Sequence, residues 1–195
     1  MARPREFDEE TALEAAMNCF WTQGFESTSV RDLAGQMGIT GASLYNAFGD
    51  KRSLYRQALA YYLVTSVRDR VSRLERLPPL SAIRTFFDEV IERSVTDEQR
   101  RGCMLVNAAL ELAPYDAEFQ KIVADEMVFI ETFFRGCIAA GQKDGTISAD
   151  RPAAELAKLL LSVLLGIRVL ARIRPLRTVL EGAAGGVLEL LKTTP

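Results

Sequence analysis

What the N-terminal part of this chain can become is limited by one stretch, Ser29-Val30-Arg31-Asp32-Leu33-Ala34-Gly35-Gln36-Met37-Gly38-Ile39-Thr40-Gly41-Ala42-Ser43-Leu44-Tyr45-Asn46-Ala47-Phe48. Its spacing predicts two short helices joined by a tight turn. Val30, Leu33, Ala34 and Met37 recur at helical intervals and give the first helix one apolar side. Gly38 falls where the chain must turn, a position that often needs a positive φ. Ile39 plugs the corner. Thr40 can cap the second helix, and Leu44 and Phe48, one turn apart, hold it down.

The outward face of that second helix is then Gly41, Ala42, Ser43, Tyr45 and Asn46, with Thr40 at its start. Gly, Ala and Ser let a helix come close to another surface. Tyr, Asn and Thr supply hydrogen bonds for phosphates and base edges. This is the make-up of a helix-turn-helix recognition helix, which enters a DNA major groove by its N-terminal end. A plain helical hairpin inside an all-α protein is the other reading of the same local pattern.

The rest of the chain reads as helices too. One over about 8–23 buries Leu13, Ala16, Met17 and Phe20; Gly24 ends it, and Phe25 can fold back on Phe20. Cys19 reads as an inert small hydrophobe. Ser29 and Asp32 have capping-box spacing, and Arg31 offers a fork of donors suited to guanine or phosphate. Asp50 can cap a helix with Lys51 on its first turn, where a helix N-terminus and a lysine together clamp a phosphate. That helix runs to about Arg76, before Pro78-Pro79. Further helices are predicted over about 81–95, from Gly102-Cys103 to Pro114, over about 117–141, over 152–173 and over 176–191. The helix over 152–173 is apolar on most faces, yet Lys158, Arg168 and Arg172 exclude a membrane span. Gly182-Ala183-Ala184-Gly185-Gly186 in the last helix permits close helix contact.

Composition excludes much. The chain has no histidine, which removes the commonest general base and metal ligand. No enzyme activity, metal or cofactor is expected. Three scattered cysteines, Cys19, Cys103 and Cys137, do not form a disulfide framework, and the polar start carries no signal peptide, so a cytoplasmic protein is expected. The net charge is −2. Residues 1–60 are also at −2, because Arg3, Arg5, Arg31, Lys51, Arg52 and Arg56 meet Glu6, Asp8, Glu9, Glu10, Glu14, Glu26, Asp32 and Asp50. Any DNA-binding bases must therefore be local, at Arg31 and from Lys51 to Arg56, with a short arm at Arg3-Pro4-Arg5 placed to reach a minor groove.

Gly24-Phe25, Thr28 to Ala34, Met37 to Thr40, Ser43-Leu44-Tyr45, Phe48, Lys51 and Leu54 together resemble the DNA-binding domain of the tetracycline-repressor (TetR) family of transcription regulators. The match runs without a gap from about Asp8 to Tyr62. It implies an all-α protein with a helix-turn-helix domain over 1–48, a linking helix over 50–76, and an effector-binding and dimerisation domain over 50–195. The DNA-contacting set is then Ser29, Arg31, Thr40, Gly41, Ala42, Ser43, Tyr45, Asn46 and Lys51. Ala47 departs from the family, which often has a histidine or aromatic just after the tyrosine. The resemblance also implies a homodimer through the helices at 152–173 and 176–191, double-stranded operator DNA as partner, and release by a small-molecule effector. Phe86, Phe87, Met104, Met127, Phe133 and Phe134 are the expected pocket walls, with Asn107, Glu111 and Arg168 as polar contacts.

Gly102-Cys103 also looks like a segment from one branch of this family. Cys103 sits at a helix N-terminus, where the dipole lowers a thiol pKa, and Arg100 and Arg101 add positive charge. A repressor that senses electrophiles or oxidants through Cys103 is therefore the alternative to a ligand-released one. A helical ligand carrier without DNA binding is the rival from a different class.

Overall fold

The computed structural model describes residues 7–193, so the Arg3-Pro4-Arg5 arm lies outside the described residues. Among them the regular structure is helical, without a strand. The first three helices are α1 (Glu9–Gln23), α2 (Val30–Gln36) and α3 (Gly41–Phe48). α4 (Lys51–Tyr62) continues through a π-helical stretch (Leu63–Arg68) into α5 (Asp69–Leu74). Then follow α6 (Pro79–Thr96), α7 (Met104–Glu111), α8 (Ala117–Asp144), α9 (Ala153–Ile173) and α10 (Arg177–Glu189).

The starts are written in side chains. Asp8, Thr40 and Asp50 each accept from a backbone N–H in the first turn of α1, α3 and α4. Ser29 and Asp32 form the full reciprocal box on α2. Each such cap is worth about 1 kcal/mol. Gly38, at φ 66°, makes the turn between α2 and α3 that a side chain would strain.

α1 packs on α4, with α2 and α3 closing the small unit. The linking helix differs from the sequence reading in two ways: it stops at Leu74 instead of about Arg76, and it is π-helical over residues 63–68. Apolar spacing carries no mark of that wider turn. Within it Arg68 donates to the buried Glu126 at 2.9 Å and lies over the Phe129 ring. Insertions of this kind often fall at functional places in helices.

The large unit packs α8 on α6 and α9, and α10 on α9 and α6. Phe86, Phe87, Phe133 and Phe134 form one aromatic knot, with Phe86 and Phe134 edge to face at 5.0 Å. Gly141 in α8 is buried against Ile147, and a Cβ there would lie 2.6 Å from Ile147 Cδ1 and Cγ1. Gly141→Ala is expected to cost about 1–2 kcal/mol, overpacking outweighing the gain in helix propensity. A lower urea midpoint with unchanged slope is the measurement.

Candidate functional site

α3 is held by the side chains its sequence supplies for that purpose. Leu44 is fully buried and Phe48 nearly so, in the core with Leu33 and Ala34 of α2 and Met37 that caps it. Ile39 N–H donates to Ala34 O at 3.0 Å and closes the corner. The other face is open. Thr40, Ala42, Tyr45 and Asn46 are exposed, Tyr45 at 53%, while Gly41 and Ser43 are half-buried. A Cβ built at Gly41 would meet nothing within 4 Å. Thr40 Oγ1 accepts from Ser43 N at 3.1 Å and shares a hydrogen bond with Ser43 Oγ.

The charged residues around this face divide. Ser29 is exposed, but its hydroxyl is committed to Asp32, donating to Oδ2 at 2.6 Å. Arg31 is exposed, and Lys51 Nζ lies 4.3 Å above the Phe25 ring. Among the described residues neither is held in an ion pair. Arg52 and Arg56, expected among the DNA-contacting bases, are tied to the large unit. Arg52 forks onto Asp116 at 2.7 and 3.0 Å and reaches Glu118 at 2.6 Å; Arg56 meets Glu118 at 3.5 Å. Two carboxylates close to α4 in space and far away in sequence explain why spacing could not show this.

A second arrangement lies inside the large unit. A cavity of about 40 Å³ is lined by Tyr62, Phe86, Arg93, Cys103, Leu165 and Arg168, among others. It has room for a water or a carboxylate-sized group, far below the roughly 300–1,000 Å³ of drug-sized sites. Of the expected pocket residues only Phe86 and Arg168 line it. Phe87, Phe134 and Met104 are fully buried packing, and Met127 is half-buried against the core. Phe133 faces an outer groove of about 260 Å³ with Phe129, Cys137 and Glu75. Asn107 is a structural tie, donating to Arg101 O at 3.3 Å and accepting from Arg172 at 2.9 Å.

Cys103 is the N-cap of α7 and borders this cavity. Burial alone would push its thiol up. Arg168, the Tyr62 hydroxyl that donates to Sγ at 3.5 Å, and the N–H groups of Val106 and Leu105 more than offset that and hold it below the ordinary thiol value. The sequence assigned the positive charge to Arg100 and Arg101. Instead Arg101 is committed to Asp97, Asn18 and the Trp21 face, Arg100 is exposed, and Arg168 from α9 does the work. Of the other thiols, Cys19 is buried and Cys137 half-buried; burial raises Cys19 and pushes Cys137 up to about 11.

Comparison with known proteins decides what family these parts belong to. Residues 12–58 match the model described as bacterial regulatory proteins, tetR family, and residues 79–185 match that of the tetracyclin repressor-like C-terminal domain. The chain belongs to the TetR family. It is a DNA-binding transcriptional regulator and not an enzyme. The regulator YezE of Bacillus subtilis, uncharacterised, is 30% identical over 175 residues, 89% of this chain and 90% of that one. The repressor ComR of Escherichia coli is 26% identical, over 87% of this chain and 82% of that one. Among solved structures, a triple-cysteine mutant of the TetR-family regulator CifR bound to 26-bp operator DNA superposes with a TM-score of 0.86 at 35% identity. That match covers 97% of this chain and all of CifR's.

In this TetR-family chain the two units are locked together by contacts the sequence reading missed. Glu111, expected in the effector pocket, turns away from it. Its Oε2 accepts from Phe25 N–H at 2.7 Å, and a Cβ at Gly24 would come within 2.9 Å of Oε1. Trp21 of α1 is clasped by Arg93 and Arg101, with ring-centre distances of 4.9 and 4.3 Å, and meets the Tyr62 ring edge-on at 4.9 Å. Tyr55 joins Phe20 and Phe25 to Phe119 of α8. An open polar cleft of about 700 Å³ beside α1, lined by Asn18, Thr22, Asp97 and Gln99, is the crevice left between the units.

Proposed function

We propose that this chain is a repressor that binds a palindromic operator as a homodimer and lets go when a small molecule enters the large unit. The observation that carries this is the exposed face of α3, with Thr40, Ala42, Tyr45 and Asn46 outward over a fully buried Leu44. One such helix buries too little for useful specificity, whereas two related by a dyad read half-sites a helical turn or a multiple apart. CifR, at 35% identity, is a relative seen on operator DNA, and the names of ComR and other relatives call them repressors.

The dyad is supplied by α9 and α10. Val169 and Ile173 of α9, Leu176 at the start of α10 and Leu190 at its end are exposed apolar residues, Ile173 at 72%. Gly182, Gly185 and Gly186 face open space, so a second backbone can approach closely. Among the described residues no helix is long and apolar enough to cross a membrane, and we place the chain in the cytoplasm with its DNA.

A gel shift with the DNA upstream of the chain's own reading frame tests this reading: a discrete dimer band supports it, and no shift contradicts it. Arg31 and Lys51 from each of two protomers give about four phosphate contacts, so log affinity should fall with log salt at a slope of about −4. Fluorescence anisotropy across a salt series measures it.

The arrangement around Cys103 favours a second reading, release by oxidants or electrophiles acting on that thiol. Operator release by peroxide or reactive aldehydes should then vanish in Cys103→Ser. An unchanged response removes this reading.

A further inference from the structure

We propose that the guanidiniums of Arg93 and Arg168 form an anion seat, and that the effector is a small carboxylate whose binding draws Arg93 off the face of Trp21. The proposal rests on the reading that a small molecule entering the large unit releases the operator, and it names the place and the ligand class.

The cavity is rich in donors and short of acceptors. Arg168 is 6% exposed; it donates to Ser94 Oγ at 2.9 Å and to the Gly102 carbonyl, and it lies beside the Cys103 thiol and the Tyr62 hydroxyl. Arg93 Nη1 donates to Ser66 Oγ at 3.2 Å, and its charge rests on the Trp21 ring. Among the described residues neither guanidinium has a carboxylate within ion-pair distance. Arg70, which lines the same cavity, differs: Glu89 neutralises it at 2.9 Å. Arg168 is buried and Arg93 half-buried, and a buried cation is normally paired, because an unpaired charge away from water is costly.

Even an ionised Cys103 would set one negative charge against two positive ones, so at least one unit is left for an anion to balance. Trp21, which carries the charge of Arg93 on its ring and meets Tyr62 edge-on, also has a buried Nε1 without an acceptor. A planar carboxylate suits guanidinium forks, and the cavity of about 40 Å³ has room for the carboxylate group itself, beside apolar walls such as Val90, Leu105, Ile130 and Leu164.

The seat connects directly to the DNA-binding unit. Arg93 belongs to α6 and Trp21 to α1. An anion that claims Arg93 therefore weakens a contact that holds α1 in place. It binds the two arrangements of the protein unequally, as any effector must.

Trp21 is the chain's single tryptophan, so its emission reads the seat. Full-length protein is titrated with acetate, propionate and butyrate at constant ionic strength held by chloride, with acetamide and propionamide as neutral controls. Operator affinity is measured in parallel. A saturable emission change is expected with the carboxylates and not with the amides. It should weaken at least tenfold in Arg93→Gln, with part of it kept in Arg93→Lys. No saturable change with any carboxylate, or an equal one with the amides or with chloride, overturns the seat. Operator binding without a carboxylate response removes the seat and leaves the regulator reading. A carboxylate response in a protein that never binds operator does the reverse.

Discussion

Ala42→Glu is expected to cut operator affinity at least about a hundredfold while leaving the fold as it was. Ala42 is exposed on the first turn of α3, and its methyl group contributes nothing to the core below Leu44. A carboxylate on a groove-entering helix faces phosphates and base acceptors, and like charges brought together cost several kcal/mol. On the free protein the change is a surface substitution near a helix N-terminus, where an acid is mildly favourable. Stability should move by no more than about 0.5 kcal/mol. Anisotropy with an operator duplex and a urea melt of the same preparation measure both. Lost stability would mean that α3 packs against protein, and retained affinity would mean that it does not enter the groove.

Arg168→Met has the second large effect. Methionine keeps most of the buried length and removes the charge. The Gly102 carbonyl and Ser94 lose their donor, which costs about 1–3 kcal/mol. Cys103 then keeps the burial that pushes its thiol up and loses the strongest influence that pulls it down. Less of the thiol is then ionised at pH 7, so alkylation there should be slower than in the wild type. The sign for stability follows. In the wild type the folded thiol is held below its ordinary value. The contribution of Cys103 is therefore complete above about pH 8.5 and is lost as pH falls through the folded value. In Arg168→Met burial is expected to outweigh the remaining hydrogen bonds and raise the thiol above its ordinary value, so stability should fall as pH rises past that value. Urea melts from pH 6 to 9.5 should show opposite slopes in the two proteins.

The helix-turn-helix was legible because its signals are local. Gly38, the Ser29–Asp32 box, the Thr40 cap and the Leu44–Phe48 pair all act within a few residues, and each is found where its spacing put it. The large unit was legible as helices and much less so as a site. An aromatic at helical spacing looks the same whether it walls a cavity or fills a core, so Phe86 was indistinguishable from Phe87 and Phe134. Glu111 looked like a polar pocket contact because nothing in sequence tells that its carboxylate meets the Phe25 amide 86 residues away. Arg52 looked like a DNA contact for the same reason. Trp21 passed unnoticed, and its buried Nε1 and two arginine neighbours become visible only once α6 lies against α1. For Cys103 the helix start was readable, and the cation was placed in the wrong segment. A charge on the next element in space has no signature in the neighbouring residues.

The central claim is that two copies of α3, set by a dyad, read one duplex together. A hydroxyl-radical footprint of the full-length protein on its upstream DNA tests it most directly. Two protected segments on one face, related by symmetry and spaced about one helical turn or a multiple apart (roughly 34 Å), both lost with Ala42→Glu, are the predicted result. A single protected segment, or diffuse protection that Ala42→Glu leaves in place, would contradict it.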